Sequence, residues 1–313
     1  MIKGLSITPP ILGRIAIGKV VEKNGKRLPE KDDAFTITTQ VQQKDGWLLH
    51  PLQQKLAALN PSGKLRTIPV TVLFNDPSLN LRAQYSLFDR KSGRMLCVGN
   101  GDTAKRTSPE GLKSVPCPSP EACPLGQELG CKPYGRLNVQ IDGQDDELGT
   151  FVFRTTGYNS IRTLAARLQY YHALSQGKTR FLPLSLKLRA KSTTQSHRTP
   201  IYYVDLVLRE GASLMGVWPK ALEEAAQAEA AGLDFAALEK SARQGLSNGA
   251  FEESEEDQPE VLAEFFPEVV SEKAETEGVV VGETEPQVDT TAIRPSVPLE
   301  SGKLEPVPTR RVG

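Results

Sequence analysis

The four cysteines of the chain, Cys97, Cys117, Cys123 and Cys131, fall within 35 of its 313 residues. Thiolates are soft ligands, and four of them satisfy Zn2+ in closed tetrahedral geometry with no position left for a substrate water. The spacing C-x19-C-x5-C-x7-C is not the paired C-x2-C pattern of a zinc ribbon, so context carries the inference. Pro116 and Pro118 flank Cys117, Pro124 follows Cys123, and Gly130 precedes Cys131. Such residues fold a backbone closely round an ion. Buried core thiols would be scattered over strands rather than gathered in one polar loop. The expectation is a structural Zn2+ held by Cys97, Cys117, Cys123 and Cys131; an iron–sulfur cluster and unmetallated thiols are the alternatives.

Little else in the sequence points to catalysis. His50, His172 and His197 are far apart and form no HExxH-like motif. The stretch GNGDTAKRT lacks the GxxxxGK[ST] spacing of a phosphate loop. Asp32 and Asp33 are adjacent, so on a strand they face opposite ways and make a poor two-metal pair; they read as solvated turn charges. The expectation is a protein that is not an enzyme.

The elements that must position the cysteines are mostly strands. Residues 5–21 are apolar and β-branched, and 24–29 read as a polar turn. In DDAFTITTQVQ, Phe35, Ile37, Thr39 and Val41 alternate with polar neighbours, a period-2 strand. Residues 51–60 read as a short helix with Leu52, Leu56 and Leu59 on one face. Strands follow at 67–74, 82–88 and 94–98, the last delivering Cys97. After the cysteine loop, strands resume at 135–141 and 149–156. Residues 159–175 form an amphipathic helix, capped by Asn159 or Ser160, that faces inward with Ile161, Leu164, Leu168 and Tyr171. Residues 182–190, with Leu182, Leu184, Leu186 and Leu188 inward, pair with 201–208 as a hairpin. The predicted fold is α+β, mainly antiparallel sheet, with a zinc-stabilised loop of four cysteines at 97–131 inside a core of residues 1–217. Residues 218–248 read as a helical appendage with Pro219 near its start and a break near Gly232. Residues 249–313, rich in Glu, Pro and Thr, read as a disordered acidic tail, within which Val261, Leu262, Phe265, Phe266, Val269 and Val270 form an apolar cluster, either chance composition in a linker or a short motif that folds on a partner.

The formal net charge is zero, but it is divided. Residues 221–313 hold 7 Lys and Arg against 21 Asp and Glu, leaving 31 against 17 in residues 1–220. The body is thus +14 and the tail −14. A basic body points to a polyanionic partner, and an acidic tail to masking of that face or to docking of another protein. Candidate binding residues are Lys105, Arg106, Lys132 and Arg136 around the cysteine loop, and Lys187, Arg189, Lys191 and Arg198 in the last hairpin. Tyr134, Tyr158, Tyr202 and Tyr203 are candidate stacking partners for single-stranded nucleic acid. The N-terminus has no apolar signal core and no run spans a bilayer, so a cytoplasmic protein is expected.

Five blocks in order carry a family resemblance: GRIAIGKVVEKNGKRLPEKDDAFTITTQ, CVGNGDTAKR, CPSPEACPLGQELGCKPYGRLNVQI, GTFVFRTTGYNSIRTLAARL and PLSLKLRAKSTTQSHRTPIYYVDLVL. Over about residues 4–210 the chain resembles the phage recombination directionality factors that act with large serine integrases. The resemblance implies a non-catalytic accessory of mobile-element DNA recombination that binds a site-specific integrase and favours excision. The alternative function is a single-stranded DNA-binding or annealing accessory in mobile-element replication.

Overall fold

Alternating apolar residues dominate the strands, and the computed structural model arranges twelve of them into one connected sheet system. The structure describes residues 9–23, 26–43, 46–192, 194, 198–248 and 258–266. These belong to a unit spanning Met1–Gly278; a second unit, Val279–Gly313, lies outside the described residues.

The main sheet runs β3 (Gly46–Leu49), β2 (Lys26–Gln43), β1 (Ile11–Lys23), β10 (Thr150–Thr155), β9 (Lys132–Ile141), β5 (Leu81–Phe88), β6 (Met95–Gly99), β7 (Thr103–Ser108), β8 (Gly111–Pro116). Among the described strands only β1 and β10 pair in parallel. A smaller set, β4 (Thr67–Thr71), β11 (Leu184–Lys191) and β12 (Ile201–Leu208), joins it where Val70 and Thr71 of β4 pair with Ile141 and Gln140 of β9. The α+β, mostly antiparallel reading therefore holds, with more strands than the sequence pattern suggested.

Side chains alternate across each strand, so each has a core face and an opposite face. Ile15, Ile37, Leu137, Val139, Phe151 and Phe153 point into the core, where Leu184, Leu186, Val204 and Leu206 of the smaller sheet meet them. Helix α4 (Tyr158–Leu174) closes this interior with Ile161, Leu164, Leu168 and Tyr171. Its close approach needs Gly135, because a Cβ there would lie 2.9 Å from Ile161. Neither Asn159 nor Ser160 caps α4; Gly157 is the cap residue. The Ser160 hydroxyl instead accepts from the Val204 N–H at 3.1 Å, tying helix to β12, while Asn159 accepts from Lys191.

Other elements depart from the pattern for identifiable reasons. Helix α1 (Pro51–Ala57) buries Leu52 and Leu56, but it stops at Ala57, so Leu59 falls beyond the apolar face and is exposed. His50 supplies the cap, its Nδ1 accepting from the Leu52 N–H. The expected turn at 24–29 is mostly strand, since β2 begins at Lys26. Asp33 lies on that strand rather than in a solvated turn, and it pairs with Lys64 and Arg66. After the short α2 (Pro77–Asn80), Asn80 holds both the N–H and the carbonyl of Phe74.

The expected appendage is two helices, α5 (Leu214–Ala230) and α6 (Phe235–Asn248), separated near Gly232 as the sequence indicated. Ser213 caps α5, which places Pro219 inside the helix rather than at its start. Ala221 joins the main core, and Ala242 of α6 packs on Leu73, Phe74 and Leu79. Within the stretch read as disordered, Gln258–Phe265 forms a helix, α7, whose Val261, Phe265 and neighbouring Phe266 are buried on the body. The apolar period of VLAEFF outweighs its acidic setting once Phe88 and Tyr134 offer a surface. The remaining tail, 249–257 and 267–313, lies outside the described residues, as does His197.

Candidate metal centre and the adjoining basic face

The cysteines are brought together by a hairpin, a short helix and two central strands. Cys97 lies within β6, opposite Leu87 of β5 and Arg106 of β7. The expected loop after it contains the β7–β8 hairpin. That hairpin returns the chain so that Cys117, just after β8, donates its N–H to the Asp102 carbonyl at 2.8 Å. An Asx turn at Asn100 prepares the reversal, its Oδ1 accepting from the Asp102 and Thr103 N–H groups.

Cys123 caps α3 (Pro124–Leu129), its Sγ accepting from the Gly126 N–H at 3.4 Å. Pro124 starts the helix, and Gly130 ends it in the left-handed region at φ +82°. That cap turns the chain so that Cys131 donates its N–H to the Gly126 carbonyl at 2.8 Å and feeds directly into β9.

All four thiols line one cavity of about 20 Å3. This is room for a single water or ion and not for a substrate. Two glycines keep it open. A Cβ on Gly99 would lie 2.7 Å from Cys117 Sγ, and one on Gly126 would lie 3.2 Å from the Cβ atoms of both Cys123 and Cys131.

Arg106 reaches the cluster from β7. Its Nη2 lies 3.9 Å from Cys123 Sγ, and hydrogen bonding to Cys97 raises its own pKa. Burial, reinforced by the neighbouring thiols, pushes the Cys131 pKa up to about 12. A thiol so placed ionises only against a strong local positive charge, which a divalent ion supplies. The donor set and the cavity size fit a tetrahedral ion. Among the described residues, however, no group of three or more His, Cys, Asp or Glu side chains is arranged to hold a metal as it stands.

The structure separates the basic residues singled out by sequence. Lys187, Arg189, Lys191 and Arg198 belong to the β11–β12 hairpin and its loop. Arg189 is engaged by the buried Asp205 at 2.6 Å, and Lys191 donates to Asn159. Lys105 is exposed on β7, whereas Arg106 turns to the thiols. Lys132 donates to the Phe265 carbonyl at 2.5 Å. Arg136 is 6% exposed and bonds Gln84. Tyr134 is 1% exposed, packed edge-on to Phe88 and Phe265, so it offers no stacking face to a base.

Sequence reasoning missed Arg82 and Arg154. They flank Arg136 directly across β5 and β10, in the pairs Arg82↔Arg136 and Arg154↔Arg136. No local signal marks them, because their adjacency comes only from strand pairing. No described helix is long and apolar enough to cross a membrane.

A family model described as Gp3-like, recombination directionality factor-like, matches residues 12–209. That span contains all twelve strands apart from Ile11, and all four cysteines. No curated protein and no solved structure matches the chain.

Proposed function

The chain belongs to the recombination directionality factor-like family, and from that premise we propose that it is a non-catalytic accessory of phage DNA recombination that binds an integrase and favours excision. The observation that carries this reading is the extent of the family match, which takes in the whole strand framework and the cysteine cluster. Such a factor works by differential binding: it must hold the excision-competent arrangement more tightly than the integrative one. Moving an equilibrium from 1:99 to 99:1 takes about 5.5 kcal/mol of differential affinity. A protein surface supplies that without reading a DNA sequence.

In this reading Cys97, Cys117, Cys123 and Cys131 hold a structural Zn2+, and the ion supplies cross-linking rather than chemistry. The support is the convergence of four thiols on a cavity of single-ion size, with Gly99 and Gly126 leaving the space free. These residues fix the β7–β8 hairpin and α3 against β5, β6 and β9, so the ion shapes the surface that a partner meets.

Purified protein added to the cognate integrase and its attachment sites tests the function. The expected result is a stoichiometric rise in excision over integration. An unchanged ratio, with the factor shown to be folded, would overturn the reading.

A further inference from the structure

Four thiolates around a divalent ion leave negative charge over, because each ligand contributes a full charge and the ion offsets only half of the total. The four cysteines are only partly buried. The exposed Glu121 carboxylate adds to the negative field at Cys131. Such a site is held together by N–H donors and cations close to the sulfurs. The cavity wall supplies an N–H from Gly126 to Cys123 Sγ at 3.4 Å. Among the described residues that line the cavity, Arg106 is the sole Lys or Arg.

Strand register puts Arg106 there. Cys97 and Arg106 are directly opposed across β6 and β7, so their side chains leave the same face of the sheet. Ala104, two residues earlier on β7, lines the same cavity, which makes that face the inner one. The guanidinium engages Cys97, and its Nη2 lies 3.9 Å from Cys123 Sγ. These sulfurs come from separate elements, β6 and the cap of α3, and one rigid fork reaches both. The Nε of Arg106 is buried and has no hydrogen-bond partner among the described residues. A buried donor left in this state is costly, and a sulfur that has lost its proton is a stronger acceptor for it. On the other side, Lys113 of β8 stands directly opposite Arg106, and like charges so placed weaken a sheet. Lys113 turns away to Glu110, while Arg106 turns to the thiols. A cation that costs the hairpin stability is thus kept where the cysteine cluster can use it.

We propose that Arg106 is a positioning residue of the cysteine cluster: its guanidinium offsets the negative charge left on the four thiolates and so sets how tightly the chain holds its ion. This deepens the structural-zinc reading above and rests on it. Arg106 touches the sulfurs and not the ion, so its contribution is electrostatic and leaves the ligand set unchanged.

The test uses the full-length chain, stripped of metal and refilled with Zn2+ or Co2+ under reducing conditions, with Zn2+ affinity read by competition against a colorimetric chelator. Arg106→Met keeps the apolar stem and removes the charge, and it is expected to hold Zn2+ about 10–100-fold less tightly than the parent. Arg106→Lys should recover most of that loss. Lys105→Met, a charge change one residue away on the opposite face of β7, should cost little. The absorption spectrum of the Co2+-saturated Met variant should match the parent's, because the same four sulfurs bind. Arg106→Gln, equally neutral, answers the same question if the Met variant fails to fold, and it too should weaken binding. Parental affinity in a folded neutral variant overturns the proposal. So does a loss that Arg106→Lys does not restore, an equal loss in Lys105→Met, or a Co2+ spectrum that changes shape, which would make Arg106 a determinant of ligand geometry instead. A parent that takes up no stoichiometric Zn2+ overturns the zinc reading itself, whereas stoichiometric Zn2+ with parental affinity in the neutral variants overturns the role of Arg106 alone.

Discussion

Arg167 Nε donates to Asp205 Oδ1 at 2.9 Å, which fastens α4 to β12 through a carboxylate that is only 2% exposed. Arg189 takes the other oxygen at 2.6 Å. Burial alone would push this carboxyl up, but the hydrogen bonds and charges of the two guanidiniums outweigh it and hold the pKa below the usual carboxylate range.

The sign of the resulting pH dependence follows. A folded-state pKa lower than the unfolded one adds stability that is present above about pH 4 and lost as pH falls through the folded value. Asp205→Asn is expected to cost about 2 kcal/mol at neutral pH. The difference from the parent should shrink in acid. Equal melting-temperature losses at pH 7 and pH 3 would count against the ion pair as its source.

Removal of one thiol tests the cysteine cluster. Cys117→Ser is expected to lower zinc content and thermal stability together, and a chelator should lower the melting temperature of the parent but not of the variant. Metal analysis by mass spectrometry settles the first point. Full zinc stoichiometry in Cys117→Ser would remove Cys117 from the ligand set.

Gly99→Ala probes the space beside that thiol while leaving all four cysteines in place. The added Cβ would meet Cys117 Sγ at 2.7 Å, Ala104 Cβ at 2.8 Å and the Thr103 carbonyl at 3.0 Å. Overpacking of this kind costs about 1–3 kcal/mol. The expected phenotype is a lower melting temperature with weakened zinc retention, read by competition with a colorimetric chelator; an unchanged zinc affinity would mean the cluster does not depend on this clearance.

Glu239 joins α6 to the body by accepting from the Asn75 and Asp76 N–H groups at 2.6 and 3.1 Å, beside the Arg243–Asp76 ion pair. Glu239→Ala leaves both donors without their acceptor, at a cost of about 1–2 kcal/mol. Hydrogen exchange should accelerate at Asn75 and Asp76 and along α6, but not in β9 or β10. Uniform acceleration would instead mean that α6 unfolds only with the whole unit.

The parts of the fold legible in sequence are those with strong local periodicity. Leu182, Leu184, Leu186 and Leu188 alternate and are all buried, and the apolar face of α4 is the one its spacing indicates. The β7–β8 hairpin was not legible because it is an outer pair: only Ala104 is buried along it, so TAKRTS and GLKSVP carry no period. Clustering of cysteines in sequence marked them as a group, but the hairpin and the Gly130 turn that bring them to one cavity are backbone effects. The arginine row was hidden for another reason. Arg82, Arg136 and Arg154 come from strands far apart in the chain, and only the register unites them.

The placement of Cys117 has a consequence for assembly of the molecule. It directly follows Pro116, which pairs with Thr103 at the open end of the β7–β8 hairpin. A slip of one residue between these strands would turn every side chain to the other face, and the thiol would leave the cavity. Weakly patterned strands such as these have little hydrophobic bias to prevent the slip. If the cluster takes the proposed Zn2+, its capture would act as a proofreading step, favouring chains whose outer hairpin has closed in register.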